Sequence, residues 1–225
     1  MSALLGLREY VLLSLKELPL IASAGPLFLG LVQGNVNLLL FALGTVIIAP
    51  SAAGLTGALL KYPLEWFSVP TNLWKVPASD VSPLLPSAPV ITGGIRPGVN
   101  VVPTYWFTMS VFFFSYLALN AFALYMEPSQ KGADADKVEN RKDQAIMSLV
   151  LIITLGLAIL GAKVWLSGGE TVLGVLVGLL VGVGAASAWF KFLRQCGMGR
   201  LEDVFGIQAR ILPEAAVGEA PVVCV

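Results

Sequence analysis

The chain has 225 residues, of which 56% are hydrophobic and only 12% are charged. Soluble domains carry about 25% charged residues, so the excess of apolar surface indicates that lipid surrounds much of this chain. The formal net charge is zero and there is no histidine, which excludes bulk attraction to nucleic acid and removes most catalytic and metal-binding chemistry. We therefore expect a non-enzymatic, multi-pass integral membrane protein without catalytic residues, cofactor, metal or nucleic-acid partner.

The first sixty residues predict an amphipathic segment followed by a membrane hairpin. Residues 1–17 mix leucines with four charged side chains, which is typical of a helix at the bilayer surface; a helical extension of the first span is an equal alternative. Residues 18–60 form the hairpin, because a Gly34-Asn35 turn separates two apolar segments. The first segment, 18–34, is short for a hydrocarbon core about 30 Å thick, so whether it crosses fully is open. A proline in the second segment predicts a kink.

Residues 61–103 predict an extramembrane loop. Eight prolines exclude a long helix there, and the low charge is unlike that of a flexible linker. Tryptophan rings favour the headgroup region of a bilayer. Five tryptophans near the ends of apolar segments are therefore predicted as interface anchors: Trp66, Trp74, Trp106, Trp165 and Trp189.

The second half predicts three further membrane segments. Residues 104–126 form one transmembrane helix, 127–145 a charged aqueous loop, 146–190 a transmembrane helix pair and 191–225 an ordered C-terminal tail. The expected fold is an all-α bundle of about four to five spans. Lysines and arginines near the spans are more numerous on the side of the charged loop and the tail, so these are predicted to face the cytosol and the Pro-rich loop to face away from it.

Small residues at four-residue spacing predict two faces on which helices approach closely. Packing within the chain's own bundle is the favoured use of these faces, and formation of a homo-oligomer is the alternative. The predicted helix-packing residues are Gly174, Gly178 and Gly182 in the last span, and Ala49, Ala53 and Gly57 in the second apolar segment.

Few polar side chains lie inside the predicted spans. Asn120 and Lys163 would line a transport pathway, but an interhelical hydrogen bond for Asn120 and a snorkelling Lys163 are favoured over that function. The spacing of Lys163 and Ser167 permits a Ser–Lys dyad, which no other feature supports. Cys196 is a candidate for lipidation by palmitoylation; an inert thiol, or one that pairs with Cys224, is at least as well supported.

The second half also resembles known proteins in several blocks of sequence. The blocks are PTYWFTMSVFFFSYLALNAFALY (103–125), ENRKDQA (139–145), CGMGRLEDVFGIQARILP (196–213) and the terminal PVVCV. They are similar to uncharacterised multi-pass membrane proteins of the nucleocytoplasmic large DNA viruses.

The resemblance implies a virion component of the internal viral membrane, a minor capsid-associated protein that joins this membrane to the capsid shell. Its contacts with capsid or membrane proteins would come from the 61–103 loop, or from the 127–145 loop with the tail. No functional residues carry over from the resemblance. The alternative is a small channel, carrier or accessory subunit of a membrane transport complex.

Overall fold

The computed structural model describes residues 2–76, 99–100, 102–126, 135–167, 170–196 and 204. These residues are helical apart from short connections and one antiparallel pair of two-residue strands, β1 (Lys75–Val76) and β2 (Val99–Asn100). The expected all-α class is confirmed for this part of the chain. Most of the predicted Pro-rich loop, the first part of the charged loop and almost all of the tail lie outside the described residues.

The described part contains six α-helices, with a π-helical turn between the second and the third. They are α1 (Ser2–Gln33), α2 (Val36–Leu43), the π turn (Gly44–Ile48), α3 (Ala49–Trp66), α4 (Tyr105–Met126), α5 (Ala135–Ser167) and α6 (Val172–Gln195).

Within the described residues, four helical stretches are long and apolar enough to cross a membrane. Their bounds are Val36–Trp66, Tyr105–Met126, Val138–Trp165 and Val172–Gln195. The apolar part of α1, Glu17–Gln33, is shorter than these four.

The helix boundaries differ in part from the predicted ones. Residues 1–17 and 18–34 belong to one continuous helix, α1 (Ser2–Gln33), which agrees with the second alternative for residues 1–17, a helical extension of the first apolar segment. Helix α3 runs to Trp66, six residues into the predicted Pro-rich loop. Helix α5 begins at Ala135 and includes much of the predicted charged loop. Lysine, glutamate and arginine are good helix formers, so a charged segment can extend a span into water as helix.

The turn between α1 and α2 follows from two residues. Gly34 has a φ of 64°, a left-handed conformation that glycine adopts without strain. The Asn35 amide donates to the Gly30 carbonyl and closes the end of α1. The Asn35 side chain then accepts from the amides of Asn37 and Leu38, at 3.0 and 3.3 Å, and caps the start of α2. These contacts form the tight hairpin that the sequence predicts.

The π turn lies directly before Pro50, where the sequence predicts a kink. Proline has no amide hydrogen and its ring crowds the carbonyl four residues earlier, so regular α-helical bonding cannot pass through this point. The Ala49 amide instead donates to the Gly44 carbonyl, five residues back. Trp189 of α6 lies against this turn, and its indole nitrogen donates to the Leu40 carbonyl at 3.1 Å. The irregular turn is therefore a contact point for α6.

Helix α4 is the centre of the bundle. Half of its apolar stretch is buried, against 11% for the stretch in α5. Helices α5 and α6 both pack extensively on α4. Aromatic rings from three helices meet on one side of it: the Tyr116 ring centroid lies 5.0 Å from that of Phe41 and 5.4 Å from that of Phe190. Large apolar side chains of α5 remain exposed on the outside.

The helices alternate in direction and define two ends of the bundle. We call the end that contains Leu15, Thr104, Lys163 and Thr171 the upper end. The lower end contains the α1–α2 turn, the C-terminus of α4, the N-terminus of α5 and the C-terminus of α6.

Candidate functional site

A buried ion pair lies at the upper end. The Lys163 ammonium, on α5, is 3.6 Å from the Glu170 carboxylate, which lies just before α6. The two side chains are only 3% and 7% exposed. The ammonium also lies 5.4 Å from the centroid of the Trp106 ring, within range of a cation–π interaction. The expectation that Lys163 snorkels to the membrane surface is therefore wrong, because Glu170 provides a partner inside the protein.

Helix dipoles favour both charges of the pair. Lys163 lies one turn before the C-terminus of α5, and Glu170 precedes Thr171, the N-cap of α6. Burial raises the pKa of Glu170 above its ordinary value of 4.5. A hydrogen bond from Thr104 and the positive charge of Lys163 oppose part of this rise in pKa. One Glu170 oxygen, Oε2, is buried and accepts no hydrogen bond.

Trp106 joins the same cluster to α1. Pro19 has no amide hydrogen, so the Leu15 carbonyl four residues earlier loses its usual helical donor. The indole nitrogen of Trp106 donates to this carbonyl at 2.8 Å. Trp106 is only 1% exposed, and Pro19 is also buried. The proline therefore creates an acceptor in the middle of a helix, and a residue 91 positions away satisfies it.

Threonines connect α4 to α6 beside the ion pair. The Thr104 amide donates to the Gly174 carbonyl at 3.3 Å. The Thr171 hydroxyl caps α6 by accepting from the Gly174 amide at 3.0 Å. Thr108 donates from its hydroxyl to the Thr104 carbonyl one turn back. The beginnings of α4 and α6 are thus held together at the upper end.

The glycines of α6 continue this contact toward the lower end. Gly174, Gly178 and Gly182 are all buried. A Cβ atom on Gly178 would lie 3.1 Å from the Cβ atom of Phe107, and one on Gly182 would lie 2.8 Å from that of Val111. The second distance is shorter than real side chains tolerate. This face therefore packs against α4 of the same chain, which is the favoured use in the sequence analysis.

The small residues of α3 also lie at contacts with other segments. Ala49 and Ala53 are buried, and a Cβ atom on Gly57 would lie 3.2 Å from the Val102 carbonyl oxygen. This face lies toward the start of α4.

The five tryptophans have three different environments. Trp66 and Trp165 are largely exposed, and their role as interface anchors stays a prediction. Trp74 and Trp106 are buried and are corrected to internal positions; Trp74 donates to the Val69 carbonyl at 3.0 Å. Trp189 is half-buried against the π turn. An indole N–H can donate to a buried carbonyl as well as to polar groups at the membrane surface. A tryptophan in the sequence therefore does not distinguish these environments.

Other predicted residues lie apart from the ion pair. Asn120 is fully buried in α4. Cys196 has an exposed free thiol after α6, and its lipidation stays a prediction. Cys224 and the side chain of Ser167 lie outside the described part, so neither the disulfide nor the Ser–Lys dyad is tested.

Glu170 and Arg141 are buried charged residues that the sequence patterns did not predict. Glu170 lies within the predicted transmembrane helix pair, and its position seven residues after Lys163 and directly before the N-cap Thr171 was a usable signal. Arg141 is buried near the start of α5. The sequence placed it in an aqueous loop, and its position within a charged run provided no signal of burial.

Comparisons with protein-family models, with curated proteins and with solved structures found no match. The site is therefore interpreted from its own chemistry. The site brings α1, α4, α5 and α6 together through an ion pair, a cation–π contact, the hydrogen bond from the Trp106 indole to the Leu15 carbonyl and the backbone hydrogen bond from Thr104 to Gly174. This arrangement holds helices in a fixed relation at one end of the bundle.

Proposed function

We propose that the chain is a non-enzymatic structural protein of a membrane. The observation that carries the proposal is the use of the buried Lys163–Glu170 pair, together with Trp106, in contacts between helices. A buried ion pair must keep its two members together, because separating them would leave a charge buried without a partner, and this requirement suits a rigid anchor. The four apolar stretches provide the length for spanning a bilayer, and the exposed apolar side of α5 provides a surface for lipid.

More specifically, we propose a minor virion protein that links the internal viral membrane to the capsid shell. The support is the resemblance of residues 103–125, 139–145 and 196–213 to membrane proteins of large DNA viruses. The contact with the shell would use the 61–103 loop, or the 127–145 loop with the tail. In the proposed orientation the lower end faces the cytosol.

Fractionation of purified virions tests this function. The protein should be present in virions, should resist extraction by carbonate at high pH, and should cross-link to a capsid protein in intact particles. Mild detergent should then release it with the membrane proteins. Its absence from virions, or extraction by carbonate alone, would refute the proposal.

A second candidate is a small channel, carrier or transport accessory subunit. The observation that favours it is also the Lys163–Glu170 pair, because buried ionisable groups in a helical bundle often mark an ion pathway. Proteoliposomes distinguish the two functions. Transport requires a proton or ion flux above that of empty vesicles, and the flux should fall in Lys163→Met. A flux equal to the empty-vesicle control contradicts a channel or carrier function.

A further inference from the structure

An apolar groove lies between α5 and α6, with α4 as its floor. It has a volume of about 270 Å³. Ser115, Leu119 and Phe122 of α4 form the floor, Leu149 of α5 forms one wall, and Val183 and Ser187 of α6 form the other. Phe122 and Val183 are about half exposed, so the groove opens on the side of the bundle. It lies outside the ion-pair site, nearer the lower end.

Basic side chains follow the groove toward the lower end on both walls. On α6, Arg194 lies seven residues after Ser187 and Lys191 lies four after it, so both continue along nearly the same helix face. On α5, Lys142 lies seven residues before Leu149, about 20° from it around the axis. Lys142, Lys191 and Arg194 are all exposed.

The acidic residues of α5 whose side chains the structure describes lie on other faces of the helix. Asp143 lies about 120° from Leu149 around the helix axis, and Glu139 about 80° from it. Helix α6 contains no acidic residue. Side chains on a helix lean toward its N-terminus, so that of Arg194 leans back toward the groove. The end of the groove therefore has a positive rim on the α6 side.

The size of the groove restricts its occupant. An α-helix about 10 Å across occupies roughly 120 Å³ per residue, so 270 Å³ is equivalent to about two residues of helix. Most of a partner helix would therefore lie outside the groove, whereas a single hydrocarbon chain is narrow enough to lie in it. The apolar lining suits that chain, and the basic rim suits a phosphate.

We propose that this groove binds one anionic phospholipid, with an acyl chain along α4 and the phosphate at Arg194 and Lys191. Lys142 supports the same charge from the opposite wall. The inference rests on the proposed membrane embedding but not on a role in the virion. A bound lipid of this kind would fill the space that α5 and α6 leave between them.

Native mass spectrometry of the full chain in a neutral detergent tests the inference. The probe is dioleoylphosphatidylglycerol, with dioleoylphosphatidylcholine as the neutral comparison. We expect one tightly retained phosphatidylglycerol per chain and weaker retention of phosphatidylcholine. Arg194→Gln and Lys191→Gln should each weaken phosphatidylglycerol binding about fivefold, and the double variant about thirtyfold. Lys61→Gln, which removes an exposed charge on α3, is the matched control and should change nothing.

A second pair of variants separates the groove from a general basic surface. Ser187→Phe adds bulk inside the groove without a change in charge and should abolish the tight phosphatidylglycerol site. Gly184→Leu adds bulk where a Cβ atom meets nothing within 4 Å, and should leave binding intact. Circular dichroism checks that each variant keeps the wild-type helix content.

Two outcomes overturn the inference: equal retention of both lipids, or tight phosphatidylglycerol binding that survives either Ser187→Phe or the double charge variant. Co-flotation with pure phosphatidylcholine vesicles tests membrane embedding separately. A chain that does not float contradicts the proposed membrane function itself. A chain that floats but shows no lipid preference refutes only the groove site.

Discussion

The ion pair at the upper end provides the sharpest test of the packing described above. Replacement of Lys163 by methionine keeps an unbranched side chain over Trp106 but leaves the Glu170 carboxylate buried without its counter-charge. Removing one member of a buried pair costs about 3–5 kcal/mol in the free energy of unfolding. This loss has an upper limit, because Glu170 in the variant can take up a proton and become neutral. At pH 7, protonation of a carboxyl with the ordinary pKa of 4.5 costs about 3.4 kcal/mol, since the pH lies 2.5 units above that pKa and each unit costs about 1.36 kcal/mol.

The cost of protonating Glu170 falls as the pH falls, so the expected loss in Lys163→Met depends on pH. A loss caused only by altered packing would not show this dependence. At pH 5.5 the same protonation costs about 1.4 kcal/mol. The destabilisation in Lys163→Met should therefore shrink by up to about 2 kcal/mol between pH 7 and pH 5.5. An exposed-lysine variant, Lys142→Met, should show little destabilisation and no such dependence on pH.

The assay is unfolding in mixed micelles with increasing dodecyl sulfate, followed by circular dichroism, for a double-mutant cycle. The cycle contains the wild type, Lys163→Met, Glu170→Gln and the double variant. At pH 7 we expect Lys163→Met to lose about 3 kcal/mol, within the limit set by protonation of Glu170, and Glu170→Gln to lose about 3–5 kcal/mol. The double variant should lose at least about 2 kcal/mol less than the sum of these two losses. Losses that add within about 0.5 kcal/mol, or a Lys163→Met deficit that is independent of pH, would refute the assignment of a stabilising buried pair.

Three further predictions follow from contacts in the bundle. Trp106→Phe leaves a carbonyl in α1 without its donor and should cost about 1–3 kcal/mol; Pro19→Ala, which restores a helical amide to the same carbonyl, should recover part of this loss in the unfolding assay. Gly182→Ala forces α4 and α6 apart and should cost about 1–3 kcal/mol, whereas Gly184→Ala, with open space around it, should be neutral or slightly stabilising. The raised pKa of Glu170 means that the folded state binds the proton more tightly than the unfolded state does. The contribution of Glu170 to the free energy of unfolding should therefore fall as pH rises from 4.5 through the folded pKa. The free energy of unfolding of Glu170→Gln, measured against pH, should lack this fall.

Local patterns in the sequence determined much of the helical framework. Hydrophobic length placed the span at 104–126, and α4 covers Tyr105–Met126. The Gly34-Asn35 turn was predictable because both residues act on their own neighbours: one adopts positive φ and the other caps the next helix. The four-residue spacing of glycines in the last span indicated a close-approach face. Each of these features depends on residues within a few turns of one another.

The partners of those faces were decided by tertiary structure alone. Four-residue spacing indicates that Gly182 meets a helix, but only the fold shows that the helix is α4. The position of Trp106 at the start of an apolar segment suggested the membrane surface. In the fold its ring is buried, and its indole nitrogen donates to the Leu15 carbonyl in α1. Lys163 similarly meets Glu170 because the end of α5 and the start of α6 come together above α4. Helical periodicity determines which side chains share a face, whereas the contacts of that face depend on how distant segments pack.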